Sequence, residues 1–342
     1  MGELNSLLLP GAVALLPVLA FLGLLLWLDS YKLVKMHTVA LLLVAGAAAS
    51  GAAYGLNGWL LGVLDMQLGL YSRTVAPFAE EALKAAIVVA LVATHRVAFT
   101  LDGAVCGFAV GAGFALVENV HYLQLLDDAP MGVWIIRGFG TAVMHGGATA
   151  LFAVAAVAQL ERNTDAVKRS LLAGAVAAVG LHAFFNLGLP SPMLAALAVM
   201  AAVPLLLLLA FDRSDKAVTS WVNDGFDADA QRLEIILQGK LSESPYGRYL
   251  QSLREHFEPE VVVDLLCYLR LSTELSMQAK SALMMREQGF APGAPDEQTR
   301  WRFAELRRLE NSIGKTGLRA LAPLLPLDRK SLWQLSMLEA SR

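Results

Sequence analysis

Seven residues between positions 80 and 186 carry functional groups that can do acid–base or metal chemistry: Glu80, Glu81, Lys84, Glu118, His145, His182 and Asn186. All of them fall inside strongly apolar runs. Hydrocarbon penalises an ionisable side chain by a few kcal/mol on insertion scales, so each needs a reason to be there. Carboxylates and imidazoles together can activate water, relay protons or bind a divalent cation. A lone core histidine is usually a satisfied structural residue. Two histidines, an asparagine and three glutamates in one apolar region weaken that explanation.

The elements that must position these groups follow from hydropathy. The chain has 342 residues, 56% hydrophobic and 17% charged, with mean hydropathy +0.54. Soluble domains sit near a quarter charged. Residues 1–211 hold 9 Lys+Arg and 11 Asp+Glu, whereas 212–342 hold 18 and 19. The pattern predicts an all-α fold: a polytopic transmembrane bundle over 1–211 and a soluble helical tail over 212–342. Runs long enough to cross about 30 Å of hydrocarbon stand near 7–28, 37–60, 75–94, 103–123, 134–158, 170–189 and 192–211, giving about seven spans. A Pro190-Ser191-Pro192 turn joins the last two.

Loop charges orient the bundle. Lys32, Lys35, Arg96, Arg162, Lys168, Arg169, Arg213 and Lys216 share one side, while the other carries Arg73, with Arg137 near a helix start. The positive-inside rule then predicts an outer N-terminus, a cytoplasmic tail and, for a bacterial chain, the inner membrane. In the tail, Val262, Leu265, Leu266, Leu269 and Leu275 form one helix-period stripe and Trp301, Leu306, Leu309 and Ile313 another, broken at 292–295. Nothing basic enough for nucleic acid occurs, and Cys106 and Cys267 make neither a disulfide framework nor a zinc spacing. The N-terminus lacks a cleavable signal pattern, and Met1-Gly2 with Ser6 is too loose a myristoylation match.

Helical geometry refines the constellation. At 100° per residue, Lys84 lies 40° from Glu80 and 60° from Glu81, so it can pair with either. Gly103, Gly107 and Gly111 form a ridge for close packing, and Glu118 continues that stripe into the bundle. Gly138, Thr141, His145 and Thr149 make a small, polar stripe, and His182 and Asn186 are four apart. Counted from the outer span ends, Glu80, Glu81, Glu118, His145 and His182 sit about 7 to 17 Å deep, all in the outer half.

The ordered set Glu80-Glu81-x-x-Lys84, Phe114-x-x-x-Glu118-Asn119, His145 and His182-x-x-x-Asn186 resembles the PrsW family of intramembrane proteases, within the wider CAAX-protease/ABI superfamily. The resemblance covers about residues 75–190, and His121 stands where an apolar residue is expected. It implies hydrolysis of peptide bonds in membrane-anchored proteins near the outer membrane edge, for example a signalling regulator such as an anti-sigma factor. It implies that Glu80 is the general base, that Glu81 and Lys84 position it, and that Glu118, His145 and His182 bind a metal such as Zn2+ or orient the water. Asn186 and a histidine would hold the oxyanion. A metal-independent glutamate mechanism stays open. Two other functions use the same residues: a proton- or ion-coupled transporter, and an inactive relative that binds a membrane partner. No inverted repeat supports the transporter.

Overall fold

The computed structural model describes residues 2–126, 128–160, 167–189, 191–325 and 329–339. Among them the chain is helical with no strand, as the hydropathy predicts. It divides into two compact units, Met1–Asp215 and Lys216–Arg342.

The first unit contains α1 (Gly2–Leu28), α2 (Met36–Leu64), the short α3 (Leu68–Thr74), α4 (Ala76–Ala93) and α5 (Thr100–Leu125). Then come α6 (Met131–Ile135), a π-helical turn (Ile136–Thr141), α7 (Ala142–Leu160) and α8 (Val167–Leu187). Helix α9 (Pro192–Leu237) begins in this unit and runs through the division. Among the described residues, five helices or helix runs are long and apolar enough to cross a membrane: Leu8–Leu28, Met36–Leu64, Thr100–Leu125, Met131–Ala158 and Pro192–Leu237. The other two expected spans correspond to α4, which carries Glu80, Glu81 and Lys84 in 18 residues, and to the shorter apolar stretch Leu171–Leu187 of α8.

Helix α5 is the hub, buried over nearly all of 101–115 and packed most closely on α7 and α2. Its start is fixed by Asp102, whose carboxylate accepts the Ala98 and Phe99 N–H groups, both at 2.9 Å. This cap explains why the helix begins three residues before the expected 103. Close approach depends on glycine. A Cβ at Gly107 would lie 2.6 Å from the Thr149 carbonyl oxygen, and one at Gly111 would lie 2.2 Å from that of His145. The expected glycine ridge is therefore the α5–α7 contact itself. Pro190 and Arg162 of the expected loops lie outside the described residues, while Ser191 Oγ accepts the Leu194 N–H at the start of α9.

The second unit adds α10 (Pro245–Ser252), α11 (Pro259–Glu287), α12 (Glu297–Leu321) and α13 (Arg329–Glu339). Leu265, Leu269 and Leu275 of α11 and Leu306, Leu309 and Ile313 of α12 are buried, as their stripes predict. Trp301 is not; it is 61% exposed, and Phe303 takes the core position instead. Asp229, on α9, accepts hydrogen bonds from Arg232, Ser276 and Lys280 in a buried network that ties α9 to α11.

Candidate active site

Six of the seven candidate residues meet in one group. On α4, Lys84 is fully buried and pairs with Glu81 one turn earlier. Its Nζ also lies 2.9 Å from His145 Nδ1 on α7 and over the Phe114 ring of α5. An ammonium has donors only, so His145 Nδ1 accepts and its Nε2 is the atom turned outward. That Nε2 lies 2.7 Å from Glu118 Oε2 on α5. On α8, His182 Nδ1 stands 2.8 Å from Glu81 Oε1 and so donates to the carboxylate, which leaves its Nε2 facing Glu80 Oε2 at 3.8 Å. The two imidazoles meet edge to face with centroids 4.7 Å apart. Glu81, Lys84, His145 and His182 are each buried, so the group is a desolvated polar island held by α4, α5, α7 and α8.

Asn186 does not join this group directly. Its amide donates to the Ser72 carbonyl at 2.9 Å and ties α8 to α3.

Three partners went unread in the sequence. Asn57 of α2 donates to Glu80 Oε1 at 3.0 Å and accepts from the Tyr71 hydroxyl of α3 at 2.8 Å. Arg137 donates from Nη2 to Glu118 Oε1 at 3.1 Å and from Nε to Asn119 Oδ1 at 3.0 Å. The available signals were an isolated amide in the apolar run of α2 and a guanidinium at the start of an apolar span. The result is one continuous polar chain from Tyr71 to Asn119, whose amide in turn donates to the Ala14 carbonyl of α1 at 2.7 Å.

The donor set suits a divalent cation. Carboxylate or imidazole donors of Glu80, His145 and His182 all lie within 4.8 Å of one another. The 3.8 Å between His182 Nε2 and Glu80 Oε2 is within reach of two bonds of about 2.0–2.2 Å to one ion, and two histidines with a glutamate are a known zinc set. Glu118 Oε2 adds a second observation. This buried oxygen lies 2.7 Å from His145 Nε2 and has no other partner among the described residues. Glu118 and Glu80 both line a cavity of about 720 Å3 walled by α2, α3, α4 and α5. Gly51, Gly55 and Gly58 of α2 form part of the wall, and His121 lies in it edge-on to Tyr54.

A multi-span helical bundle with a buried carboxylate–imidazole centre beside an open cavity is an arrangement that a membrane-embedded hydrolase can use. The profile of the PrsW family intramembrane metalloproteases matches residues 34–209, just over half of the chain, and the chain belongs to that family. It is thus an integral, multi-pass intramembrane peptidase. The matched region contains every residue of the polar chain except Ala14 and ends before the second unit. No curated protein and no solved structure matches the chain at a significant level.

Proposed function

We propose that this peptidase cleaves single-span membrane-anchored proteins, such as signalling regulators, in a segment just outside their membrane helix. The observation that carries the proposal is the position of Glu80. Its carboxylate is steered by Asn57 on one oxygen, faces His182 Nε2 with the other, and lines the cavity. Glu80 is the general base that takes a proton from the attacking water. Glu81 accepts from His182 Nδ1 and leaves the His182 Nε2 lone pair free to ligate, whereas Lys84 donates to His145 Nδ1 and leaves the proton of that ring on Nε2. His182, and His145 once its Nε2 proton has been released to water, would hold Zn2+ together with Glu118, leaving Glu80 as the base; the ion would acidify water and polarise a carbonyl. Without a metal, the same desolvated glutamate beside a histidine serves as the base. Asn186 can reach the oxyanion only by releasing the Ser72 carbonyl.

Topology follows from the loop charges: outer N-terminus, cytoplasmic second unit, bacterial inner membrane and a site in the outer half. A peptide bond must leave helical pairing before attack, which costs less near the membrane edge than at the midplane. The test is co-reconstitution of the purified protein with a membrane-protein extract in liposomes. Cleavage products that vanish with Glu80→Ala support the proposal. Ion flux that depends on Glu80 without any product would overturn it in favour of transport.

A further inference from the structure

We propose that Arg137, held within the π-helical turn Ile136–Thr141, is a positioning residue that locks Glu118 against His145 at the edge of the candidate metal-binding group. The proposal rests on the metal-binding reading of the site. Glu118 is the one carboxylate of the cluster whose two oxygens are divided between partners on the α6–α7 run: Oε1 takes the Arg137 guanidinium, and Oε2 lies 2.7 Å from His145 Nε2. Fixing Oε1 decides where Oε2 points.

The backbone makes this possible. Arg137 and His145 are eight residues apart, which in a regular α-helix sets them about 80° apart around the axis. Between them lies the turn Ile136–Thr141, closed by an Ala142 N–H bond to the Arg137 carbonyl five residues back. The residue this turn absorbs takes up about 100° and brings the two side chains to within about 20° of one face. Both then reach the same carboxylate from successive levels of the run.

Arg137 is itself over-determined. Its guanidinium stacks 3.7 Å from the Tyr122 ring centroid and bridges Glu118 and Asn119, while Asn119 is anchored to the Ala14 carbonyl. The turn is pressed on α1 at Gly138, where a Cβ would lie 1.9 Å from the Val13 carbonyl oxygen. A planar fork that stacks and spans two acceptors is a task lysine cannot copy. Among the described residues Arg137 forms its ion pair with Glu118, so its positive charge orients that side chain.

The test uses the full-length protein in detergent, with Co2+ as a spectroscopic probe and no substrate. Removing an outer-shell partner of a metal site typically costs 10–100-fold in affinity. Arg137→Gln is expected to weaken Co2+ binding by that factor and to alter the visible spectrum, with Arg137→Lys intermediate and helical circular dichroism unchanged. Because Arg137 acts through Glu118, Glu118→Gln with Arg137→Gln should bind no more weakly than Glu118→Gln alone. Wild-type affinity in Arg137→Gln, or a full additional loss in the double variant, would overturn the proposal. If Arg137→Gln fails to fold, the same comparison with Arg137→Lys decides. A wild-type protein that binds no Co2+ would instead overturn the metal reading, and this proposal with it.

Discussion

Gly111→Ala is the smallest change that should disable the site without touching a functional side chain. A Cβ there would lie 2.2 Å from the His145 carbonyl oxygen, 2.6 Å from its carbon and 2.7 Å from the Gly146 Cα. All three are backbone atoms, so no rotamer change relieves the clash. Ordinary contact begins near 3.4 Å, so α7 must retreat from α5 by about 1.2 Å at the level of His145. Overpacking costs about 1–3 kcal/mol, against a gain of up to about 1 kcal/mol in helix propensity from Gly to Ala, so the net effect is destabilising. The functional effect is larger. The same retreat carries His145 away from Glu118 and Lys84, and a displacement of about 1 Å can cost 100-fold in rate. Thermal unfolding in detergent and Glu80-dependent cleavage are the assays, with Gly62→Ala on α2, where a Cβ meets nothing, as the control. A Gly111→Ala protein with unchanged melting and unchanged cleavage would refute the idea that the α5–α7 approach sets the site.

Asn57→Ala frees Glu80 Oε1 and should lower cleavage about 10–100-fold with little change in melting, while Tyr71→Phe, one bond further out, should cost less. Burial pushes the Asp29 carboxyl, just after α1, up to about 6 from an ordinary 3.8, although Val34 N–H donates to it. A raised carboxyl pKa means that its stabilising share is complete below 3.8 and lost as pH rises through about 6. Asp29→Asn should therefore raise unfolding stability at pH 8, by up to about 3 kcal/mol, and not at pH 3.5, read by thermal melting at the two pH values; equal effects at both would contradict the linkage. In the second unit, Lys280→Met leaves Asp229 with Arg232 and Ser276 alone and should destabilise that unit by about 1.5–3 kcal/mol, read by hydrogen exchange in α11 and α13.

The bundle was legible because hydrocarbon forces long apolar runs and makes every retained charge conspicuous. Glu80, Glu81, Lys84, Glu118, His145 and His182 stood out for that reason, and the glycine period at 103, 107 and 111 correctly implied a close helix contact. What could not be read was the pairing between helices. Arg137 looked like a loop charge because the π turn that rotates it toward Glu118 has no residue signature. Asn57 needed the position of α3 to acquire meaning, since its partners Tyr71 and Glu80 lie on two other helices. Spacing along separate helices also does not say which carboxylate shares a cation with the two histidines. The expected group used Glu118, while the three-residue cluster brings Glu80 to the same pair, with Glu118 in contact with His145. In the tail, periodicity alone placed Trp301 with the buried stripe, yet Phe303, 200° further round, is the one packed inside.

The most direct measurement is mass-spectrometric mapping of new N-termini in membranes from cells that carry either the intact protein or Glu80→Gln. Termini that require Glu80 are expected within a few residues of the outer end of single membrane spans. Glu80-dependent termini confined to soluble cytoplasmic proteins, or identical termini in both strains, would contradict the assignment of Glu80 to peptide-bond hydrolysis at the outer membrane edge.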